Sequence, residues 1–100
     1  TKNSTPLVPG LPGMQEARLP EYGIEFWYGL FVPVGTPPAV IKKIFDAAQT
    51  AMAQPAVKAA LAREGTDVAV STSPEYFGTF LTEDAKFWVN LVKSAGVKLD

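Results

Sequence analysis

The stretch "EFWYGLFVPVGTPP", residues 25–38, decides the predicted fold. Its first half is almost entirely large and apolar, and its second half changes abruptly to proline, glycine and threonine. An apolar run without polar alternation predicts a strand that is buried on both faces, here over residues 25–32. The aromatic side chains also favour a strand, because they pack well on a pleated surface. Pro33 cannot donate to a sheet ladder and ends the strand.

The residues after this strand predict the start of a helix. The hydroxyl of Thr36 is placed to cap it, and Pro37 suits the first turn, where a missing N–H costs nothing. Apolar residues then recur at helical spacing over about 37–53: Val40, Ile41, Ile44, Phe45, Ala48, Ala51 and Met52. We expect the helix to end near Gln54, because Pro55 disfavours helical backbone in the residue before it.

A shorter helix and a second strand follow. The helix is predicted over Pro55 to Arg63, burying Val57, Ala60 and Leu61, with Gly65 as the cap of its C-terminus. The sequence "TDVAVS", residues 66–71, predicts a short strand.

The last helix is predicted over about residues 74–95. Ser73 and Pro74 repeat the pattern of cap and proline, and Glu75 in the first turn complements the helix dipole. One apolar stripe runs along this helix through Phe77, Leu81, Asp84/Ala85, Trp88, Leu91/Val92 and Ala95. Gly96 ends it.

The composition excludes several classes of function. Apolar residues make up 47% of the chain and charged residues 19%, as in ordinary globular proteins. The net charge of −1 gives no reason to expect nucleic acid or an anionic membrane as a partner. We expect no membrane-spanning segment and no signal peptide in this stretch, because it has no run of about 18 apolar residues and no basic region before an apolar core. Cysteine is absent, which excludes disulfides and thiolate metal sites.

The chain offers no catalytic chemistry. Histidine and cysteine, the commonest general base and the commonest reactive nucleophile, are both absent. The carboxylates show no spacing that is typical of a metal site. We interpret them as solvated surface charges: the pair Glu83–Asp84 and the isolated Glu16, Glu21, Asp46, Glu64 and Asp67. We therefore predict no catalytic residue, no metal ligand and no cofactor, and no enzyme.

Residues 1–24 have a different character from the rest of the chain. Four prolines and three glycines break up this segment, which we call the strap and expect to lie on another part of the protein. One short helix fits at about Met14 to Arg18. With the strap set aside, the pattern predicts two main amphipathic helices, a shorter one and two short strands, which is an α/β fold. Two strands do not make a stable sheet, so we expect the chain to be part of something larger.

Three segments together resemble a known family. The stretch "FWYGLFVPVGTPPAVIKKI" resembles the W-x-G-L-x-x-P-x-G-T-P segment of Bug-type solute receptors of tripartite tricarboxylate transporters. The stretch "MAQPAVKAALAREGTDVAVSTSPEYF" resembles their D-P-x-V-x-x-x-L-x-x-x-G segment followed by T-P-E-x-F. The end, "LVKSAGVKLD", is similar to their K-x-A-G-I-K-x-(D/E). In the strap, Gly13 stands where the family usually has Thr, and Arg18 where it usually has Gly.

The resemblance implies a periplasmic receptor that captures a small carboxylate and delivers it to a membrane permease. It implies that this chain is the C-terminal third of a type II periplasmic-binding-protein fold. Residues 1–24 are then the end of domain two and the strap, residues 25–36 a crossover strand and turn, and residues 37–100 the C-terminal part of domain one. The resemblance places Phe26, Trp27 and Tyr28 on the wall of the ligand cleft, with the carboxylate held mainly by loops elsewhere in the receptor.

A second interpretation stays open on the residues alone. The chain could be a self-standing α/β module that uses its aromatic side chains to bind a protein partner. Under the receptor interpretation, we expect the isolated fragment to form a homodimer, because its strand edges and apolar helix faces are uncovered.

Overall fold

The computed structural model describes residues 1–98, which form three α-helices. Helix α1 spans Pro38–Met52, α2 spans Pro55–Arg63 and α3 spans Pro74–Ser94, and a short 3-10 helix lies at Pro20–Tyr22. The internal contacts divide the chain into two units, Thr1–Ala69 and Val70–Asp100. The first unit contains α1 and α2, and the second contains α3. None of the helices described here has both the length and the apolar character needed to cross a membrane.

The predicted α/β fold is wrong, because residues 1–98 contain no strand. Residues 25–32 and 66–71, predicted as strands, have no regular secondary structure. The partial type II periplasmic-binding-protein fold with two short strands is corrected to a helical structure. The physical reason is that a strand exists only when a second strand pairs with it, and no other segment of the described chain does so.

The start of α1 also differs from the prediction. Thr36 does not cap the helix, since its hydroxyl donates to the carbonyl of Pro33 at 2.7 Å. The N-cap is Pro37, which makes no side-chain hydrogen bond, and Pro38 is the first helical residue. With two prolines in succession the helix begins one residue later than predicted, and Thr36 lies too far upstream to reach its free N–H groups.

Helices α1 and α2 pack against each other through part of the predicted apolar stripe. The half-buried apolar residues are Ile41, Phe45, Ala48 and Met52 on α1, with Val57, Leu61 and Ala62 on α2. Val40 and Ile44, which the pattern placed on the same apolar face, are 44% and 40% exposed. No hydrophobic side chain among residues 1–98 is buried. The amphipathic faces are therefore formed but remain largely uncovered.

Helix α3 begins and ends as predicted. The hydroxyl of Ser73 accepts a hydrogen bond from the N–H of Tyr76 at 3.0 Å, which caps the first turn. Half-buried residues follow one face of the helix: Phe77, Leu81, Asp84, Trp88 and Val92. Ring contacts lie along it, with Phe77 stacked on Phe80 at 6.1 Å and Phe87 edge-on to Trp88 at 5.5 Å.

The C-termini of α2 and α3 share one geometry, the Schellman motif. After α2, the N–H of Gly65 donates to the carbonyl of Ala62 and that of Thr66 to Leu61. After α3, Gly96 and Val97 make the equivalent pair of bonds. The motif needs a left-handed residue, and both glycines have positive φ, at 73° and 69°. The predicted stops at Gly65 and Gly96 are confirmed.

The same motif closes a single helical turn in the strap, and there the left-handed residue is Arg18. The N–H of Arg18 donates to Gln15 and that of Leu19 to Met14, with φ of 62° at Arg18. The short helix predicted at about Met14 to Arg18 is thus not formed, and these residues make a hydrogen-bonded turn in its place. Arg18 is the position where the family resemblance suggested Gly, and the chain here holds a side chain in a conformation that is unfavourable for L-residues.

We predict that Arg18→Gly stabilises the protein. Glycine adopts the left-handed conformation without steric cost, and the gain outweighs the extra flexibility it gives the unfolded chain. We expect a rise of about 1 kcal/mol in the free energy of unfolding. Urea unfolding of the variant and the parent measures this change.

Arg18→Ala is the matched control, since it removes the charge and the long side chain but keeps the Cβ atom. It should leave the urea midpoint unchanged. Equal stabilisation by Ala and Gly would show that the charge of Arg18, rather than its backbone conformation, is unfavourable.

Candidate functional site

Residues 25–34, which we call the aromatic segment, present the largest exposed apolar side chains of the first unit. Phe26 is 90% exposed and Tyr28 is 92% exposed, while Trp27 between them is half-buried. Further along, the exposed apolar residues are Leu30, Phe31, Val32 and Val34. Of the three residues assigned to a cleft wall, two therefore face solvent and one is partly covered.

The side chains of this segment are suited to line a ligand pocket rather than to fix a ligand through polar contacts. Aromatic and apolar side chains line ligand pockets, and a small number of polar groups fix the orientation of the ligand. Within residues 26–34 the side chains carry no charge, and their polar atoms are the indole nitrogen of Trp27 and the hydroxyl of Tyr28. The charged residue at its start, Glu25, is already engaged by the strap.

The first residues of the strap lie against residues 13–16 and 25. The carbonyls of Thr1 and Lys2 accept from the N–H groups of Met14 and Gln15, at 3.0 and 2.9 Å. The N–H of Lys2 donates to the carboxylate of Glu25 at 2.9 Å. The N–H of Ser4 donates to the carboxylate of Glu16 at 3.1 Å. Backbone groups of Thr1, Lys2 and Ser4 are thus hydrogen-bonded to residues 14–16 and to Glu25.

Gly13 is what lets these segments approach so closely. It is the one buried residue among residues 1–98. A Cβ atom at this position would lie 2.2 Å from the carbonyl carbon of Asn3, far inside a normal contact. A threonine there, as is usual in the related receptors, would displace residues 3 and 4. The two departures from the family pattern, Gly13 and Arg18, thus flank the same helical turn.

The carboxylate of Glu16 is stabilised in its charged form. The backbone N–H of Ser4, its main partner, lowers the pKa of Glu16 below the usual value, and a hydrogen bond from the side chain of Ser4 adds to this effect. A hydrogen bond to the charged form of an acid favours that form. Glu16 is fully exposed, so the contact works by hydrogen bonding alone.

A further hydrogen bond connects the strap to the loop that follows α2. The hydroxyl of Thr5 donates to the carboxylate of Asp67. Asp67 also borders a shallow open depression of about 280 Å³, lined by Leu7, Lys58, Ala62, Thr66, Asp67 and Val68. Lys58 would attract an anion there and Asp67 would repel it, so the depression has no clear preference for charge.

The second unit carries an apolar depression of about 300 Å³ near the end of α3. Its lining is Trp88, Val89, Val92, Lys93 and Val97. Among these lining residues Lys93 is the charged one, and the indole N–H of Trp88 is the other polar side-chain group. The surface is suited to protein contact rather than to recognition of a small polar molecule.

Sequence reasoning identified the aromatic segment but not the carboxylates around it. We interpreted Glu16 and Asp67 as solvated surface charges and did not single out Glu25, and in the structure each of the three accepts a hydrogen bond from the strap. The partners are 12, 23 and 62 residues apart in the chain. No periodicity or short motif reports contacts over such distances.

The chain belongs to the receptor family of tripartite tricarboxylate transporters. The model of the family described as "Tripartite tricarboxylate transporter family receptor" matches residues 2–97. This match confirms the resemblance that was noted in the sequence, and it covers the strap, the aromatic segment and all three helices.

Curated relatives agree with this assignment. The chain is 29% identical over 91 residues to Protein BugT of Bordetella pertussis, covering 91% of this chain and 28% of that protein. It is 33% identical over 88 residues to the UPF0065 protein in the clcB-clcD intergenic region of Pseudomonas knackmussii, covering 87% of this chain and 52% of that protein. The chain therefore spans about a quarter to a half of these relatives. No solved structure matches it significantly.

We predict that the contact between Ser4 and Glu16 is lost on acidification. The pKa of Glu16 is lowered in the folded state, so the contact stabilises the fold fully above the usual pKa of 4.5 and is lost as the pH falls through the lower folded value. The amide proton shift of Ser4, followed by NMR during an acid titration, reports the change. Its midpoint should lie below 4.5.

Glu16→Gln is the control, because glutamine keeps an acceptor oxygen but does not titrate. The Ser4 shift should then stay constant over the same pH range. A midpoint at or above the usual value in the parent would contradict the contact.

Proposed function

We propose that this chain is the C-terminal part of a periplasmic receptor that captures a small carboxylate for a tripartite tricarboxylate transporter. The receptor delivers the ligand to the membrane permease and performs no catalysis. The observation that carries the proposal is the family match over residues 2–97. The lack of histidine and cysteine in the chain agrees with a role in binding.

The proposal divides the chain into three parts. Residues 1–24 are the end of domain two together with the strap, residues 25–36 are the crossover between domains, and residues 37–100 are the C-terminal part of domain one. The uncovered faces of α1 and α3 support this division, since each expects further polypeptide against it. A crossover also accounts for an apolar segment that is exposed within this chain alone.

In the receptor, Phe26, Trp27 and Tyr28 form part of the wall of the ligand cleft. Exposed aromatic side chains of this size supply apolar contact area to a ligand or to the closing domain. The carboxylate itself is held by backbone N–H groups and small polar residues outside this chain. Since an aromatic wall without polar anchors cannot fix an anion, these residues contribute to affinity but do not create it.

The test compares the full-length gene product with the isolated chain. Calorimetric titration with citrate, aspartate, glutamate and nicotinate should show binding of at least one of them by the full-length product. The isolated chain should bind none of them with a Kd below about 10 μM, or about −7 kcal/mol. Absence of binding by the full-length product, or tight binding by the isolated chain, would contradict the proposal.

The same titration tests whether the aromatic residues of the proposed cleft wall contribute to ligand affinity. In the full-length product, Phe26→Ala and Tyr28→Ala should each weaken binding about tenfold, since each removes aromatic contact area. Tyr22→Ala is the matched control: Tyr22 is also exposed, at 62%, but lies outside the wall. An equal loss in all three variants would show a general effect on stability.

We also propose that the isolated chain is a homodimer. The apolar faces of α1 and α3 are only partly covered within residues 1–98, and Phe26 and Tyr28 are exposed, so a second copy can supply further cover. Light scattering at micromolar concentration should give twice the chain mass of 10.7 kDa. A well-folded monomer at 10.7 kDa with sharp NMR signals from residues 26–32 would contradict this.

A further inference from the structure

We propose that Glu25 is a positioning residue of the cleft wall. Its carboxylate accepts the backbone N–H of Lys2 and so fixes the point at which the aromatic segment leaves the strap. The inference rests on the proposed role of Phe26, Trp27 and Tyr28 as wall. It gives Glu25 a role in orienting the aromatic segment, which no sequence motif around Glu25 indicates.

The geometry around Lys2 carries the inference. The N–H of Lys2 donates to Glu25 at 2.9 Å, and its carbonyl accepts from the N–H of Gln15 at 2.9 Å. Both backbone polar groups of Lys2 are therefore used, the carbonyl by Gln15 within the strap and the N–H by Glu25 at the start of the aromatic segment. Lys2 thus joins the helical turn near Gln15 to the residue directly before Phe26.

Close packing at Gly23 supports the same arrangement. A Cβ atom at Gly23 would lie 3.4 Å from both Cα and Cβ of Lys2, and 3.2 Å from the carbonyl oxygen of Pro20. The backbone at residue 23 thus lies directly beside Lys2, two residues before Glu25.

The aromatic segment is then fixed at both ends. Upstream, Glu25 connects it to the strap. Downstream, the turn from Pro33 to Thr36 closes through the N–H and the hydroxyl of Thr36, which both donate to the carbonyl of Pro33. Loss of the upstream contact should free Phe26 and Trp27 to change direction while leaving the helices intact.

The experiment follows Trp27 by fluorine NMR of the full-length gene product labelled with 5-fluorotryptophan, without ligand. The Trp27 resonance is assigned by its loss in Trp27→Phe, and the Trp88 resonance serves as an internal reference. In Glu25→Ala the Trp27 signal should move toward the position of the free amino acid and narrow. The Trp88 signal should not change.

Two matched pairs separate the hydrogen bond from other effects. Glu25→Gln keeps an acceptor oxygen at the same place and should preserve the parent Trp27 signal. Lys2→Pro removes the donor N–H and should reproduce Glu25→Ala, whereas Lys2→Ala keeps the N–H and should behave as the parent. If Glu25→Ala fails to fold, which the Trp88 signal reports, the Lys2 pair still decides the question.

An unchanged Trp27 signal in both Glu25→Ala and Lys2→Pro would overturn the proposal. A Glu25→Gln variant that behaves like Glu25→Ala would also overturn it, because the acceptor would then not be what matters. The measurement is made without ligand, so it is independent of the titrations that test the receptor function. A full-length product that binds no carboxylate but shows the expected Trp27 changes would contradict the proposed receptor function. It would still support the role of the hydrogen bond between Lys2 and Glu25.

Discussion

The structure depends on one constraint: each amphipathic helix has an apolar face, and residues 1–98 leave those faces largely uncovered. No hydrophobic side chain of residues 1–98 is buried, although the helices carry regular apolar stripes. Burial of such faces is the main favourable term in folding. Here the local order comes instead from hydrogen bonds that do not need a core, namely the cap at Ser73, three Schellman motifs and the contacts of the strap.

The same constraint explains which elements were predictable. The helices were predicted to within one or two residues, because their signals are local: prolines at the starts, glycines at the stops and apolar residues at helical spacing. The strands were wrong because a strand is defined by its partner. The run at residues 25–32 has the composition of a strand, but composition does not supply a second strand to pair with it. The misplaced start of α1 has a smaller cause, the second proline at Pro38.

The candidate site also contains features that could be predicted from the sequence and features that could not. Its aromatic residues are visible in the sequence because large apolar side chains in a continuous run are a strong local signal. The contacts of Glu16 and Glu25 are not visible, since each joins residues far apart in the chain through a backbone amide, and every residue except proline offers one of those. Gly13 and Arg18 show what the family comparison adds. The resemblance marked both positions as departures, and the structure gives the reason each matters: a close approach at Gly13 and a left-handed backbone at Arg18.

We propose that the aromatic segment is exposed within this chain because polypeptide elsewhere in the receptor covers it. Hydroxyl-radical footprinting with mass spectrometry measures side-chain exposure directly, residue by residue. Comparison of the full-length gene product with the isolated chain, at a concentration low enough to keep the latter monomeric, should show oxidation of Phe26 and Tyr28 slowed severalfold in the full-length product. Equal oxidation rates in the two proteins would contradict the claim.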